Sequence, residues 1–305
     1  MTVFKTKRGL VTKKFNNFFY VDIPGKNEFS ENLRFLCTSR KNIYFNDQLI
    51  FVGDEVFIEE INLQNKTAII VSLIKRRNYL ERPSIANISD LYIVSSFEEP
   101  KLNLSQLNKF LINSENLNVN VSLILTKCDL ISNKDYLFYL DKFTKWGYIP
   151  RIISIHKKIG FDDFIDELRT KRCSILVGPS GVGKTTLLNQ IIPNLNKATA
   201  SVSNKIKRGK NTTRNIELFS LSKESYIVDT PGFNMQTINI EKKFIADLFP
   251  EFRSQIQRES GNCKFRDCLH ISEPGCKLNK NFERYAFYKE IIGSSKNHYS
   301  QIQED

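Results

Sequence analysis

The sequence predicts a multidomain α/β protein: an N-terminal OB-type β-barrel, a parallel sheet covered by helices, and a C-terminal helical domain. Three observations predict it. Residues 8 to 75 carry short alternating or β-branched runs between turn signals, and from residue 85 short apolar runs alternate with helix-spaced segments. From Glu241 the pattern becomes helical and gathers three of the six cysteines. Short strands at close spacing suit a small closed barrel, with an SH3-like barrel as the competing architecture. Strands alternating with helices suit a parallel sheet buried on both faces. The expected division is 1–80, 85–240 and 241–305.

The elements follow in order. Phe18–Ile23, Leu33–Cys37, Leu49–Val52, Glu55–Ile61 and Lys66–Ile74 read as barrel strands, separated by Pro24-Gly25, Asn46-Asp47, Gly53-Asp54 and Gln64-Asn65. Lys75 to Ser84 is polar and contains Pro83, so it reads as a linker. Asp90–Ser95, Val119–Leu125, Ile149–Ile155, Cys173–Val177 and Ser225–Val228 read as buried strands. Leu102–Ser114, Tyr136–Trp146, Phe161–Thr170 and Thr185–Ile192 read as helices. The residues from about Ser294 read as a polar tail.

Composition narrows the classes of function. Hydrophobic residues are 41% and charged residues 26%, which excludes a wholly disordered or collagen-like chain. Lys plus Arg number 45 against 33 Asp plus Glu, a formal net charge of +12 that favours a polyanionic partner, nucleic acid first. No apolar run approaches the roughly 18 residues that span a bilayer. The basic N-terminus is followed by no apolar stretch of a secretory signal. A cytoplasmic protein with no membrane partner is expected, its cysteines thiols or metal ligands rather than disulfides.

Gly178-Pro179-Ser180-Gly181-Val182-Gly183-Lys184-Thr185 fits G-x-x-x-x-G-K-[ST] between a strand and a helix. Such glycines let backbone N–H groups curl around phosphates at a helix N-terminus. Lys184 is placed to reach the β- and γ-phosphates and Thr185 to bind Mg²⁺, with Thr186 next on the helix. Asp229-Thr230-Pro231-Gly232 ends an apolar strand, where a P-loop NTPase holds Mg²⁺; the Gly232 N–H could meet a γ-phosphate. Thr126-Lys127-Cys128-Asp129 resembles the guanine-reading N-K-x-D. The Asp129 carboxylate can accept from N1–H and the 2-amino group of guanine, a donor pair adenine lacks, and this argues against a P-loop ATPase. Thr126 stands where Asn is usual, which predicts loss of the amide that ties this loop to the P-loop. Ser154-Ile155 resembles the fifth GTPase motif. The order is 126, 154, 178, Thr212-Thr213, 229, rotated from that of ordinary GTPases, as a circular permutation would leave it.

Cys263-x4-Cys268-x-His270-x5-Cys276 is a Cys₃His set suited to one tetrahedral structural zinc ion; incidental thiols or a redox pair are the alternatives. Lys264, Arg266 and Lys277 around it suit either an RNA-facing knuckle or a solvated basic face.

The barrel, the permuted motifs and the cysteine spacing together resemble the RsgA (YjeQ/EngC) family of circularly permuted, small ribosomal subunit-dependent GTPases. The resemblance implies an OB domain contacting 16S rRNA, a circularly permuted P-loop GTPase domain and a C-terminal zinc-binding domain. It further implies a monomer that binds GTP/GDP and the 30S subunit late in maturation, hydrolyses GTP when the subunit stimulates it, and helps release assembly factors. A GTP-gated RNA-binding module with little hydrolysis is the alternative, motivated by Asn211 and Phe233, which offer no group to activate water. Thr212 or Thr213 would supply a second hydroxyl to Mg²⁺. Lys7, Arg8, Lys13, Lys14, Phe15, Arg34, Arg40 and Lys41 are RNA-contact candidates in the barrel, with core packing the favoured reading for Phe18, Phe19 and Tyr20. Lys205, Lys207, Arg208, Lys210 and Arg214 are further candidates beside the nucleotide motifs.

Overall fold

A computed structural model describes residues 6–25, 32–40, 49–80, 83–192, 216–229, 240–258 and 263–294. Thr212, Thr213, Gly232, Asn211, Phe233 and Lys41, with the 205–214 segment, lie outside the described residues.

The barrel comprises β1 (Lys7–Phe15), β2 (Phe18–Ile23), β3 (Leu33–Ser39), β4 (Glu55–Asn62) and β5 (Thr67–Leu73). Its strand order β1-β2-β3-β5-β4 closes through β1–β4 pairing. That five-stranded closure is the OB arrangement, not the SH3-like one. Alternate residues point inward, so Val11, Val21, Phe35, Cys37, Ile58 and Ile70 form one core.

Two sequence expectations differ here. β1 was not among the individual runs, and Leu49–Val52 is no strand. The Asp54 carboxylate accepts the Phe51 N–H at 2.7 Å, a local bond that competes with a ladder. Gly53 turns the chain at φ +89, where a Cβ would lie 2.1 Å from the Ala86 carbonyl oxygen. Ile50 then plugs the barrel while Val52 enters the neighbouring core. The polar stretch after Lys75 is likewise structured. β6 (Tyr79–Leu80) pairs with β7 (Ile85–Ala86). Arg76 makes two 2.7 Å bonds to fully buried Asp54 and lies 4.2 Å over the Phe51 ring.

The second sheet contains β8 (Asp90–Ser96), β9 (Asn120–Thr126), β10 (Arg151–Ile153), β11 (Cys173–Val177), β12 (Glu217–Ser220) and β13 (Tyr226–Asp229), ordered β10-β9-β8-β11-β13-β12. All neighbours are parallel except β12 with β13. Strand alternation sends Leu91 and Ile93 to one face with α1 (Leu104–Glu115) and α2 (Asn133–Lys145). It sends Tyr92 and Val94 to the other with α3 (Phe161–Thr170) and α4 (Lys184–Ile191). β12, unmarked in the sequence, also pairs with β1, so barrel and sheet are continuous.

The C-terminal segment has two 3-10 turns, α5 (Pro250–Arg258) and α6 (Tyr285–Ser294). Phe249, Phe252, Tyr288 and Ile292 pack with Ile112 of α1. Fully buried Arg284 locks the joint: it donates to Asn108 Oδ1 at 2.8 Å and Glu251 Oε2 at 3.1 Å, among Trp146, Tyr148 and Phe249 rings. No helix among the described residues is long and apolar enough to cross a membrane.

Candidate functional site

The loops that follow β9, β10 and β11 meet at the C-terminal ends of these parallel strands, where open α/β sheets hold ligands. Three glycines shape the loop after β11. Gly178 takes φ +145, and a Cβ there would lie 2.0 Å from the Val94 carbonyl oxygen of β8. Gly181 and Gly183 take φ +82 and +95, and Gly183 precedes the first residue of α4. Lys184 Nζ is drawn inside the loop by the carbonyl oxygens of Gly178 (2.8 Å) and Pro179 (2.5 Å), and burial lowers its pKa. Thr185 and Thr186 are exposed, as are Ser180 and Gly181.

The loop after β9 stands directly beside it. Thr126 Oγ donates to the Val182 carbonyl oxygen at 2.7 Å and lies 3.2 Å from that of Ser95. The tie expected to vanish with the missing Asn is therefore made by a hydroxyl, because β9 ends close enough for a shorter side chain. Lys127 adopts a left-handed φ of 60 and donates from Nζ to the Glu99 carbonyl oxygen. The Asp129 carboxylate is held below its usual range first by the Ser154 hydroxyl, with His156 and Lys157 adding. Ser154 is buried just beyond β10. Thr126, Lys127 and Asp129 line one cavity with Val182, Gly183 and Thr186. Cys128 does not line it; its half-buried thiol packs toward the sheet core, and burial pushes its pKa up.

Ile155 and His156 complete the cavity wall. Ser154-Ile155 is legible in the sequence as this motif; His156, its third position, is not marked by residue type. Asp229 closes β13 one strand beyond β11.

The four metal-ligand candidates converge within 4.8 Å of one another. Cys263, Cys268 and Cys276 Sγ lie 3.6, 3.5 and 3.6 Å from His270 Nδ1, and Cys263 and Cys276 Sγ are 4.0 Å apart. Such spacings fit ligands at about 2.0–2.3 Å from one tetrahedral ion. Burial lowers the His270 pKa, favouring the neutral imidazole a metal requires. The loop is braced around the donors. Glu273 accepts the N–H groups of Leu269 (3.0 Å) and Ile271 (2.8 Å), while Tyr285 and Tyr288 donate to the carbonyl oxygens of His270 (2.9 Å) and Leu269 (2.6 Å). The residues present therefore fit a metal ion, and a disulfide is not formed.

The barrel's basic candidates are mostly engaged internally. Arg8 pairs with Glu55, Lys13 with Glu217, Arg34 with Asp22 and Arg40 with Glu60; Lys14 donates to the Ile50 carbonyl oxygen at 3.1 Å. Lys7 has no ion-pair partner among the described residues. Of the rings, Phe19 is core while Phe15 and Phe18, cross-strand neighbours, are 38% and 46% exposed. Lys264 and Arg266 are exposed beside the metal loop.

These geometries have counterparts in known proteins. The family model described as RsgA GTPase matches residues 73–239. The chain is 42% identical over 292 residues to the small ribosomal subunit biogenesis GTPase RsgA of Prochlorococcus marinus strain NATL1A, covering 93% of each chain. It is 34% identical to the protein of that name from Synechococcus sp. strain CC9311, covering 93% of this chain and 92% of that one. Among solved structures it resembles YloQ, described as a circularly permuted GTPase (TM-score 0.76, 27% identity, 95% of this chain and 94% of that one). YjeQ from Thermotoga maritima is similar (TM-score 0.74, 25% identity, 95% and 99%). A matched family segment, near-complete coverage by relatives and a shared permuted fold together place this chain in the RsgA GTPase family.

Proposed function

We propose that this protein is a cytoplasmic GTPase acting as a monomer in maturation of the small ribosomal subunit. It binds the 30S particle and its 16S rRNA, and it hydrolyses GTP to GDP and phosphate when the subunit stimulates it. Release of assembly factors accompanies its departure. One observation supports the reading above the others: the base-reading and phosphate loops, rotated in sequence, are bonded together through Thr126 and Val182.

Gly178 and Pro179 shape the turn, Ser180, Gly181, Val182 and Gly183 present backbone N–H groups to the phosphates, and Lys184, Thr185 and Thr186 close that end. Lys184 leaves its loop carbonyls for the β- and γ-phosphates, which satisfy an ammonium better than neutral oxygens do. Asp129, held ionised by Ser154, accepts the two guanine donors. The Lys127 stem covers the base, and Cys128 anchors the loop in the core. Mg²⁺, held by Thr185, Asp229 and Thr213, would screen charge on the phosphates; Gly232 offers its N–H to the γ-phosphate. Cys263, Cys268, His270 and Cys276 would hold one zinc ion, which would be structural because four protein ligands leave no open position.

The test is GTP turnover with and without purified 30S subunits at two salt concentrations. Strong stimulation that falls as salt rises is expected, as rRNA contact releases counterions. Equal turnover with and without subunits overturns the assembly role. Asp129→Asn should transfer preference from GTP to xanthosine triphosphate; an unchanged preference removes Asp129 as the base reader.

A further inference from the structure

One backbone row crosses from the barrel into the nucleotide sheet. Lys13 of β1 is the Cα partner of Glu217 in β12. Glu217 is in turn the partner of Asp229 in β13. The row therefore runs from barrel to the residue assigned to Mg²⁺ with Glu217 at its centre. Glu217 is also four positions after Thr213, so both phosphate-sensing motifs flank the β12–β13 hairpin in sequence.

Side chains reinforce this row. Lys13 Nζ meets Glu217 Oε2 at 2.5 Å, both groups mostly buried (11% and 16% exposed). Arg34 Nη1 lies 3.5 Å from Glu217 Oε1 while Asp22 fixes its guanidinium at 2.8 and 3.1 Å. At the far end of the hairpin, Asn32 Nδ2 donates to the Lys223 carbonyl oxygen (3.0 Å) and the Tyr226 hydroxyl (2.8 Å). Among the described residues β1 meets β12 through a single backbone partner pair, and the charges converging on Glu217 add to it.

We propose that Glu217 is a positioning residue that couples the barrel to the nucleotide centre: a displacement of β1 when the barrel engages the subunit is passed through Lys13 and Glu217 to the strand ending at Asp229. This rests on the subunit-dependent reading above. It assigns Lys13 to internal coupling rather than to rRNA contact.

The test uses the full chain, with single-turnover GTP hydrolysis measured across a 30S titration. Lys13→Gln is expected to leave the unstimulated rate and the 30S dissociation constant within about threefold, while the rate at saturating subunit falls at least tenfold. Glu217→Gln is expected to lower the saturating rate at least as far, and adding Lys13→Gln to it is expected to lower the rate no further. Undiminished stimulation in Lys13→Gln overturns the proposal. So does a weakened 30S dissociation constant with an intact saturating rate, which makes Lys13 an rRNA contact. Losses that multiply in the double variant, as for independent residues, also overturn it. Absence of stimulation in the unaltered protein is distinct: it removes the subunit reading and this role together.

Discussion

The nucleotide domain is joined to its neighbours in two different ways. The barrel meets it through one short rung, Val52 in the sheet's core, Asn32 on the β12–β13 turn, and ion pairs: Lys13 and Arg34 on Glu217, and Arg172 on Glu55. The C-terminal segment meets it through an aromatic core around a fully buried guanidinium, and its zinc-suited loop is itself packed on Phe252. An apolar joint resists sliding because every displacement exposes area or opens voids. A joint that leans on charge pairs, with Arg34 and Arg172 half exposed, yields more readily and responds to salt. The charged joint suits a part that shifts against the nucleotide site, the apolar joint a part carried rigidly with it.

Metal removal should break the C-terminal side most completely. A strong chelator is expected to melt the 263–276 loop, since binding free energy of a structural metal is folding free energy, apparently about 10–16 kcal/mol in small zinc domains. Trp146 is the one tryptophan, and its Nε1–H donates to Glu283 at 2.9 Å beside Arg284. Its fluorescence therefore reports this joint alone, and an unchanged spectrum on chelation would count against a metal-dependent loop.

Arg284→Met is expected to be next, costing about 3–5 kcal/mol at neutral pH by stranding the buried Glu251 carboxylate. Burial already raises the Glu251 pKa, with Arg284 opposing. Without Arg284 the folded pKa rises further above the unfolded one, so stability is retained at low pH and lost as pH rises through it. The deficit, read by urea denaturation, should therefore shrink toward pH 4. One Arg284 nitrogen (Nη2) and Glu251 Oε1 have no hydrogen-bond partner among the described residues. Replacing both, as Arg284→Met with Glu251→Leu, should then restore most of the loss.

Glu217→Gln should cost less, about 1–2 kcal/mol, because a charge-assisted bond is lost at a partly hydrated site. Adding about 0.5 M salt should narrow the difference from the unaltered protein, but not for Arg284→Met. Equal salt sensitivity at both joints would erase the contrast. Thr126→Val lies between the joints and should be smallest, about 1 kcal/mol or roughly fivefold in GTP affinity, with no change in Trp146 fluorescence.

Legibility in the sequence followed the range of the interactions. The P-loop, the base-reading loop and the Cys₃His set were readable because each is a short segment whose backbone path needs particular residues: glycine at φ +145 in Gly178, or three thiols and an imidazole within fourteen residues. β3, α3 and β11 were readable from periodicity. Leu49–Val52 misled because its apolar residues divide between two cores, a division that Asp54 and Gly53 impose. Arg76 misled because polarity suggested solvent, whereas Asp54 buries it.

The sequence by itself determined the chemistry on offer: a phosphate-loop motif, a candidate guanine-reading motif, a Cys₃His set and the rotated order of a permuted fold. Tertiary structure decided which groups act on which. It gave Thr126 its hydrogen bond to the P-loop, set Ser154 near Asp129, and paired Lys13 and Arg34 with Glu217. The reason is that charge and hydrogen-bonding capacity belong to a residue, while the partner that satisfies them is set by neighbours up to 204 positions away.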